Sequence, residues 1–246
     1  MSGHSKWNNI KRKKGANDAA KAKIFTKIGR EMAVIVKQGG PDPNSNSKLK
    51  DCIAKAKAAN VPNDNIERII KKAAGDNDSS NYETIIYEGY GPAGVAVIVE
   101  CLTDNRNRTA GDVRHFFDKY GGNMGLTGCV SYLFEDKGVI VIEKSDAVNE
   151  DQLMEDALEA GAADFVTDDD VYEITTEPDD VYDIADALKD KGYEILSAEA
   201  TKVPQNYITL TDEDDIKHMA QLLEHLDDCD DVQDVYHNWE NEDDGE

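Results

Sequence analysis

Apolar residues recur at helical spacing through the first third of the chain and alternate through much of the remainder. Over residues 18–37, Ile24, Phe25, Ile28, Met32 and Ile35 fall in one arc at about 100° per residue. Lys23, Lys27, Arg30 and Lys37 gather on the opposite side, so this helix has an apolar face and a basic face. Gly39-Gly40-Pro41 stops it. The period resumes over 47–59, with Leu49, Ile53 and Ala56 inward, and over 64–74, with Ile66, Ile69, Ile70 and Ala73 inward. Asn60-Val61-Pro62-Asn63 separates the two, and the pattern predicts a small three-helix bundle.

Beyond residue 80 the period shortens to two. Strands are expected over 82–88 and 95–102 around the turn at 89–94, then a helix over 106–120 and a strand over 129–134. Next come a strand at 138–143, a helix at 150–160, strands at 165–167 and 171–175, a helix at 178–190 opened by Pro178, and a strand at 193–200. That βαββαβ order is ferredoxin-like. A strand at 207–210, a helix at 212–226 and a strand at 232–236 follow, and they suit completion of the sheet begun before residue 135. The predicted fold is multidomain, α and α+β. A basic helical domain with an N-terminal arm (1–80) precedes a discontinuous αβ domain (81–134 and 205–240). A ferredoxin-like αβ domain (135–204) is inserted in it, and an acidic tail (241–246) ends the chain.

Charge changes the picture more than composition does. The 246 residues carry a net charge of −24. Through Gly75, however, 17 Lys and Arg stand against 6 Asp and Glu, a net of +11, and the remaining 10 basic and 45 acidic residues leave −35. Such asymmetry points to nucleic acid or an acidic surface as partner, although basic helix faces are also often merely solvated. Four scattered cysteines without a C-x-x-C pair fit a reducing compartment. No run approaches the roughly 20 apolar residues of a membrane span, and no apolar run follows the first basic residues as in a secretory signal. A cytoplasmic monomer with no membrane partner is expected.

Two segments carry candidate chemistry. The first 17 residues hold little that can bury, and form an arm expected to be mobile when unbound. Its Lys6, Lys11, Arg12, Lys13 and Lys14 suit phosphates. Trp7 suits either stacking on a base or docking on the body. At the strand-to-helix junction 102–109, Arg106 and Arg108 flank free helix N–H groups, which favours an anion. The competing reading is capping by Thr103 or Asp104, with the arginines paired to the acidic body. The candidate nucleic-acid-binding set is therefore Lys6, Trp7, Lys11, Arg12, Lys13, Lys14, Lys23, Lys27, Arg30, Arg106 and Arg108.

Catalytic signatures are missing. There is no G-x-x-x-x-G-K-[ST] loop and no G-x-S-x-G elbow, and Gly121-Gly122-Asn123-Met124-Gly125 reads as a helix stop and loop. His218 and His225 match no zinc spacing, and the aspartate pairs lack an EF-hand register. No metal, cofactor or catalytic residue is expected, so the chain reads as a non-enzyme.

Several longer motifs resemble the YebC/PmpR family. They are Ser2-Gly3-His4-Ser5-Lys6-Trp7, Lys23-Ile24-Phe25-Thr26-Lys27 with Arg30-Glu31, and Asn60-Val61-Pro62 with Asn65-Ile66-Glu67-Arg68. Tyr87-Glu88-Gly89-Tyr90-Gly91-Pro92, the run from Leu102 to Thr109, and Asp230-Asp231-Val232-Gln233-Asp234-Val235-Tyr236 complete the set. The resemblance implies three domains and a cytoplasmic, DNA-binding transcriptional regulatory protein. It also implies an alternative, a translation factor bound to ribosomal RNA or the ribosome that assists synthesis of proline-rich stretches. It supplies no catalytic residues. A third reading is a protein-interaction adaptor that uses the acidic surface.

Overall fold

The computed structural model describes residues 18–75 and 82–241. The predicted arm, the 76–80 linker and all of the acidic tail except Asn241 lie outside the described residues.

Three helices come first: α1 (Asp18–Gly39), α2 (Ser47–Ala58) and α3 (Asn63–Gly75). Their core is Ile28, Met32, Val36, Leu49, Cys52, Ala56, Val61, Ile66 and Ala73, with Ile24, Phe25, Ile35, Ile53, Ile69 and Ile70 packed at its edge. The expected apolar arcs are thus the packed faces. Asn46 links the end of α1 to the start of α2. Asn46 caps α2 by accepting from the Leu49 amide at 3.2 Å, and its own amide donates to the α1-terminal carbonyls of Gly40 (2.9 Å) and Ile35 (3.3 Å). Gly39 must lack a side chain here, because a Cβ would stand 2.6 Å from Asn46 Nδ2.

The next body is a four-stranded antiparallel sheet. Strands β1 (Glu83–Tyr90) and β2 (Ala96–Thr103) form a hairpin, followed by α4 (Arg106–Lys119) and the two-residue β3 (Asn123–Met124). A second antiparallel sheet then intervenes. It is built from β4 (Phe134–Glu143), α5 (Glu150–Ala160), β5 (Asp164–Thr167), β6 (Val171–Thr176), α6 (Val181–Asp190) and β7 (Ile195–Pro204). The chain returns through α7 (Glu213–Asp228) to β8 (Val232–His237), which pairs with β2. The strand orders are β3-β1-β2-β8 and β5-β6-β4-β7. The second order is ferredoxin-like, so the fold is a helical bundle followed by two α+β sheets.

Strand β2 reads Ala-Val-Ile-Val-Glu-Cys-Leu-Thr because both its faces are covered. Helices α4 and α7 pack Val113, Phe117, Met219, Leu222 and Leu226 on one face, against Val97, Val99 and Cys101. Val130 and Phe134 cover Ala96 and Ile98 on the other. The inserted sheet has its own core of Ile140, Ile142, Leu153, Tyr172, Ile174, Ile184 and Leu188.

Three local expectations are corrected. Residues 129–134 do not form a strand: a loop and a 3₁₀ turn at Ser131–Leu133 occupy them, and Phe134 opens β4. None of their first amides reaches a neighbouring strand: Glu88 accepts from Val130 (2.9 Å) and Ser131 (2.8 Å) as well as from the preceding Gly128 (2.7 Å), and the Cys129 and Leu133 amides turn back to the Leu126 and Val130 carbonyls. Residues 207–210 make only a single parallel bridge, Ile208 to Trp239, because the Leu210 amide bonds the Asn241 side chain instead. Pro178 precedes α6 rather than opening it; the helix begins at Val181 behind Asp180.

Candidate nucleic-acid interface

The basic side of α1 faces the end of α7 and the turn that follows it. Lys23 Nζ lies 2.7 Å from Asp228 Oδ1. One turn on, Lys27 Nζ donates to the Asp227 carbonyl at 2.7 Å. One further turn on, Arg30 Nη1 donates to the Asp230 carbonyl at 2.8 Å and lies 3.5 Å from Asp231 Oδ1. The Arg30 guanidinium also sits over the Tyr82 ring, 5.5 Å from its centre. The acceptors belong to a helix C-terminus, where unsatisfied carbonyls concentrate negative potential. Hydrogen bonding to Asp228 holds the Lys23 ammonium above its ordinary pKa. Lys37, at the far end of α1, is exposed.

The junction after β2 is organised around the same turn. Asn105 caps α4, accepting from the Arg108 amide at 3.1 Å, while Thr103 Oγ1 accepts from the Asn105 amide at 2.9 Å. The cap is therefore Asn105 rather than Thr103 or Asp104. Arg106 pairs with Glu83 at 3.0 Å. Arg108 reaches Asp104 at 2.9 Å and Asp231 at 2.8 Å. Thr109 Oγ1 lies 2.8 Å from the same Asp231 oxygen, and the Leu102 amide donates to the Asp231 carbonyl at 2.8 Å. Burial pushes the Asp231 pKa up, but hydrogen bonds from Arg108, Thr109 and Thr103 outweigh it and hold the carboxyl below its ordinary range.

A second ion cluster joins α1, α2 and β8. Lys55 Nζ lies 3.2 Å from Glu31 and 3.1 Å from Asp234. Burial pulls its pKa down, but those two carboxylates more than compensate and keep the ammonium charged. Against these paired groups, Lys48, Lys57, Lys71 and Lys72 on α2 and α3 are exposed and form no salt bridge among the described residues.

The structure thus brings together Lys23, Lys27, Arg30 and Arg108 around the Asp227–Asp231 turn and sets Arg106 apart on Glu83. Lys6, Trp7, Lys11, Arg12, Lys13 and Lys14 lie outside the described residues. Sequence reasoning missed the acidic turn as the partner of α1, because the two are about 200 positions apart. It also missed the loop held by Glu88, which presents Leu126 and Tyr132 to solvent at 85% and 65% exposure. The signal was available: residues 120–134 contain no Asp, Glu, Lys or Arg in a chain that is 32% charged.

A bundle carrying surplus positive charge, joined to two acidic α+β sheets, defines a multidomain protein whose charge is divided between its parts. The model of the TACO1/YebC protein N-terminal domain matches residues 5–76, and that of the TACO1/YebC second and third domain matches residues 82–239. The chain belongs to the TACO1/YebC family. It is 64% identical over 239 residues to a protein of Acetivibrio thermocellus (97% of this chain, 99% of that one). It is 62% identical over 246 residues to one of Ruminiclostridium cellulolyticum (100% and 99%). Both relatives carry the name "Probable transcriptional regulatory protein". A crystal structure of a conserved hypothetical protein, Aq1575, from Aquifex aeolicus superposes with a TM-score of 0.79 at 45% identity, covering 91% of each chain. No helix among the described residues is long and apolar enough to cross a membrane.

Proposed function

We propose that this protein is a non-enzymatic, nucleic-acid-binding regulator of gene expression, acting as a cytoplasmic monomer and binding DNA as a transcriptional regulatory protein. The observation that carries the reading is the division of charge: +11 through Gly75 and −35 beyond it. The names of the relatives support the regulatory role. Phosphates are contacted by Lys6, Lys11, Arg12, Lys13 and Lys14 of the arm, with Trp7 stacking on a base. Lys48, Lys57, Lys71 and Lys72 add positive charge that no carboxylate of the described residues takes up. Lys23, Lys27 and Arg30 join this surface only in competition with the acidic turn, and Arg106 and Arg108 only in competition with Glu83, Asp104 and Asp231.

Replacing Lys11, Arg12, Lys13 and Lys14 together by alanine tests the reading. Each phosphate contact contributes close to one unit to the slope of log affinity against log salt, so the slope falls by about 3 to 4. Affinity drops by more than tenfold near 0.1 M salt. An unchanged slope and affinity would sink the reading.

The −35 of the remainder favours a second target, ribosomal RNA, because an acidic body is repelled by naked duplex and suits a structured surface that offers basic protein as well. Crosslinking in growing cells followed by sequencing separates the two. Promoter DNA alone excludes the ribosomal target, and ribosomal RNA alone excludes the promoter.

A further inference from the structure

We infer that the turn Asp227–Asp231 is an internal competitor for nucleic acid, occupying the basic face of α1 until a polyanion displaces it. The inference rests on the nucleic-acid reading above and adds the regulation of that surface. Lys23, Lys27 and Arg30 lie at spacings of four and three residues, one row along α1. Each meets an oxygen of the turn: Asp228 Oδ1 at 2.7 Å, the Asp227 carbonyl at 2.7 Å, and the Asp230 carbonyl at 2.8 Å with Asp231 Oδ1 at 3.5 Å. A phosphodiester backbone offers such cations a comparable row of anionic oxygens. The turn fills that place with the chain's own atoms.

The two ends of the contact differ in strength. Lys23 and Asp228 keep 44% and 67% of their side chains exposed, so salt and competing anions reach them. Arg30 and Asp231 keep only 22% and 10%. The turn itself cannot swing out, because Asp231 is tied to Arg108, Thr109 and the Leu102 amide. Displacement must therefore move α1, and with it the helical bundle whose core α1 shares, pivoting about the Lys55–Asp234 pair that also ties the bundle to β8. A polyanion enters at the exposed Lys23 end and opens the contact toward Arg30. Binding is thereby coupled to a shift of the bundle away from the end of α7. Until then, tight nonspecific binding through α1 is suppressed.

A zero-length carbodiimide crosslink reads the contact directly in the full-length protein. In the free protein it joins Lys23 to Asp228. As internal references it also joins Lys202 to Asp136 and Lys191 to Asp156, which likewise stand at 2.7 Å. A 20-nucleotide oligonucleotide, as single-stranded RNA and as duplex DNA, is the probe. At saturation the Lys23–Asp228 product is lost while the reference products persist. In parallel, the D227N/D228N/D230N variant binds the probe about tenfold more tightly than wild type at low salt, where exposed charges act most strongly. The D168N/D169N/D170N variant removes the same charge from a turn of the inserted sheet and gains far less.

A Lys23–Asp228 product undiminished at saturation overturns the inference, and so do equal gains by the two variants. Either result leaves nucleic-acid binding itself standing. Failure of wild type and both variants to bind the probe overturns the inference and the nucleic-acid reading together.

Discussion

Of the contacts that tie basic side chains to the Asp227–Asp231 turn, those at Asp231 and at Asp228 are built differently. At Asp231 the carboxylate is nearly inaccessible and is met by the Arg108 guanidinium, by Arg30 at longer range, and by the Thr109 and Thr103 hydroxyls beside the capped start of α4. At Asp228 one exposed carboxylate meets one exposed ammonium. The same chemistry thus serves two ends. Removed from water and fully bonded, it fixes the turn to the sheet. Left in water, it holds α1 by a contact that counterions can replace. Local charge predicts neither role, because what separates them is burial and the number of partners.

The largest expected effect breaks the buried side of this comparison. Asp231→Ala leaves Arg108 without its closer partner and takes from the buried Thr109 and Thr103 hydroxyls the carboxylate oxygen they share. Chemical denaturation should report a loss of about 2–3 kcal/mol, the upper range for hydrogen bonds to a buried charged group. A loss below about 1 kcal/mol would place Asp231 with the exposed contacts.

Next is Glu88, which extends the comparison to a buried carboxylate with no cation. Burial pushes its pKa up, but three backbone amides outweigh that and hold it below its ordinary value. Glu88→Gln keeps one acceptor and turns the other into a donor facing an N–H, at a cost of about 1–3 kcal/mol. The sign of the pH dependence follows from the lowered folded-state value. The carboxylate's contribution is complete above the unfolded pKa of roughly 4.3, and is lost as pH falls through the folded value. Denaturation followed from pH 6 down to pH 3 should therefore show a shallower loss of stability in the variant than in wild type. Parallel curves would remove the carboxylate from the account of this loop.

Asn46→Ala comes third. It removes the α2 cap and the link to α1 in one step, and thermal unfolding should register about 1–2 kcal/mol. The smallest effect belongs to the exposed side of the comparison. A double-mutant cycle of Lys23→Gln and Asp228→Asn should return a coupling of about 0.2–1 kcal/mol at low salt that fades at 1 M. A larger coupling that salt leaves intact would mean that the α1 contact is structural rather than displaceable.

Periodic elements were legible in the sequence because their signal is local. The arc of Ile24, Ile28 and Met32, the βαββαβ order and the Val- and Ile-rich run of β2 each need only neighbouring residues to be read. What could not be read has its partner far away. Glu88 looks like an outward strand position until the 125–133 loop folds over it. Residues 129–134 carry strand-like residues whose amides that carboxylate captures. The two-residue β3 is too short to carry a period. For the candidate interface, the cations of α1 and of the 102–109 junction were visible as residue types. That they converge on a single acidic turn is a property of the fold, and the sequence separation of about 200 hides it.

The inserted sheet leaves and rejoins its host at one point. Strands β4 and β7 run side by side from Phe134 opposite Pro204, and just outside them the Gln205 amide donates to the Leu133 carbonyl at 2.8 Å. The host sheet therefore experiences everything between as a decorated hairpin. A gene could lengthen, shrink or exchange that segment in frame without re-threading any other strand. Away from α6, whose Asp183 meets Lys50 of the bundle at 3.5 Å, sequence drift should be most freely tolerated there, while the host and the helical bundle, bound to each other through the Asp227–Asp231 turn and Lys55, must change in concert.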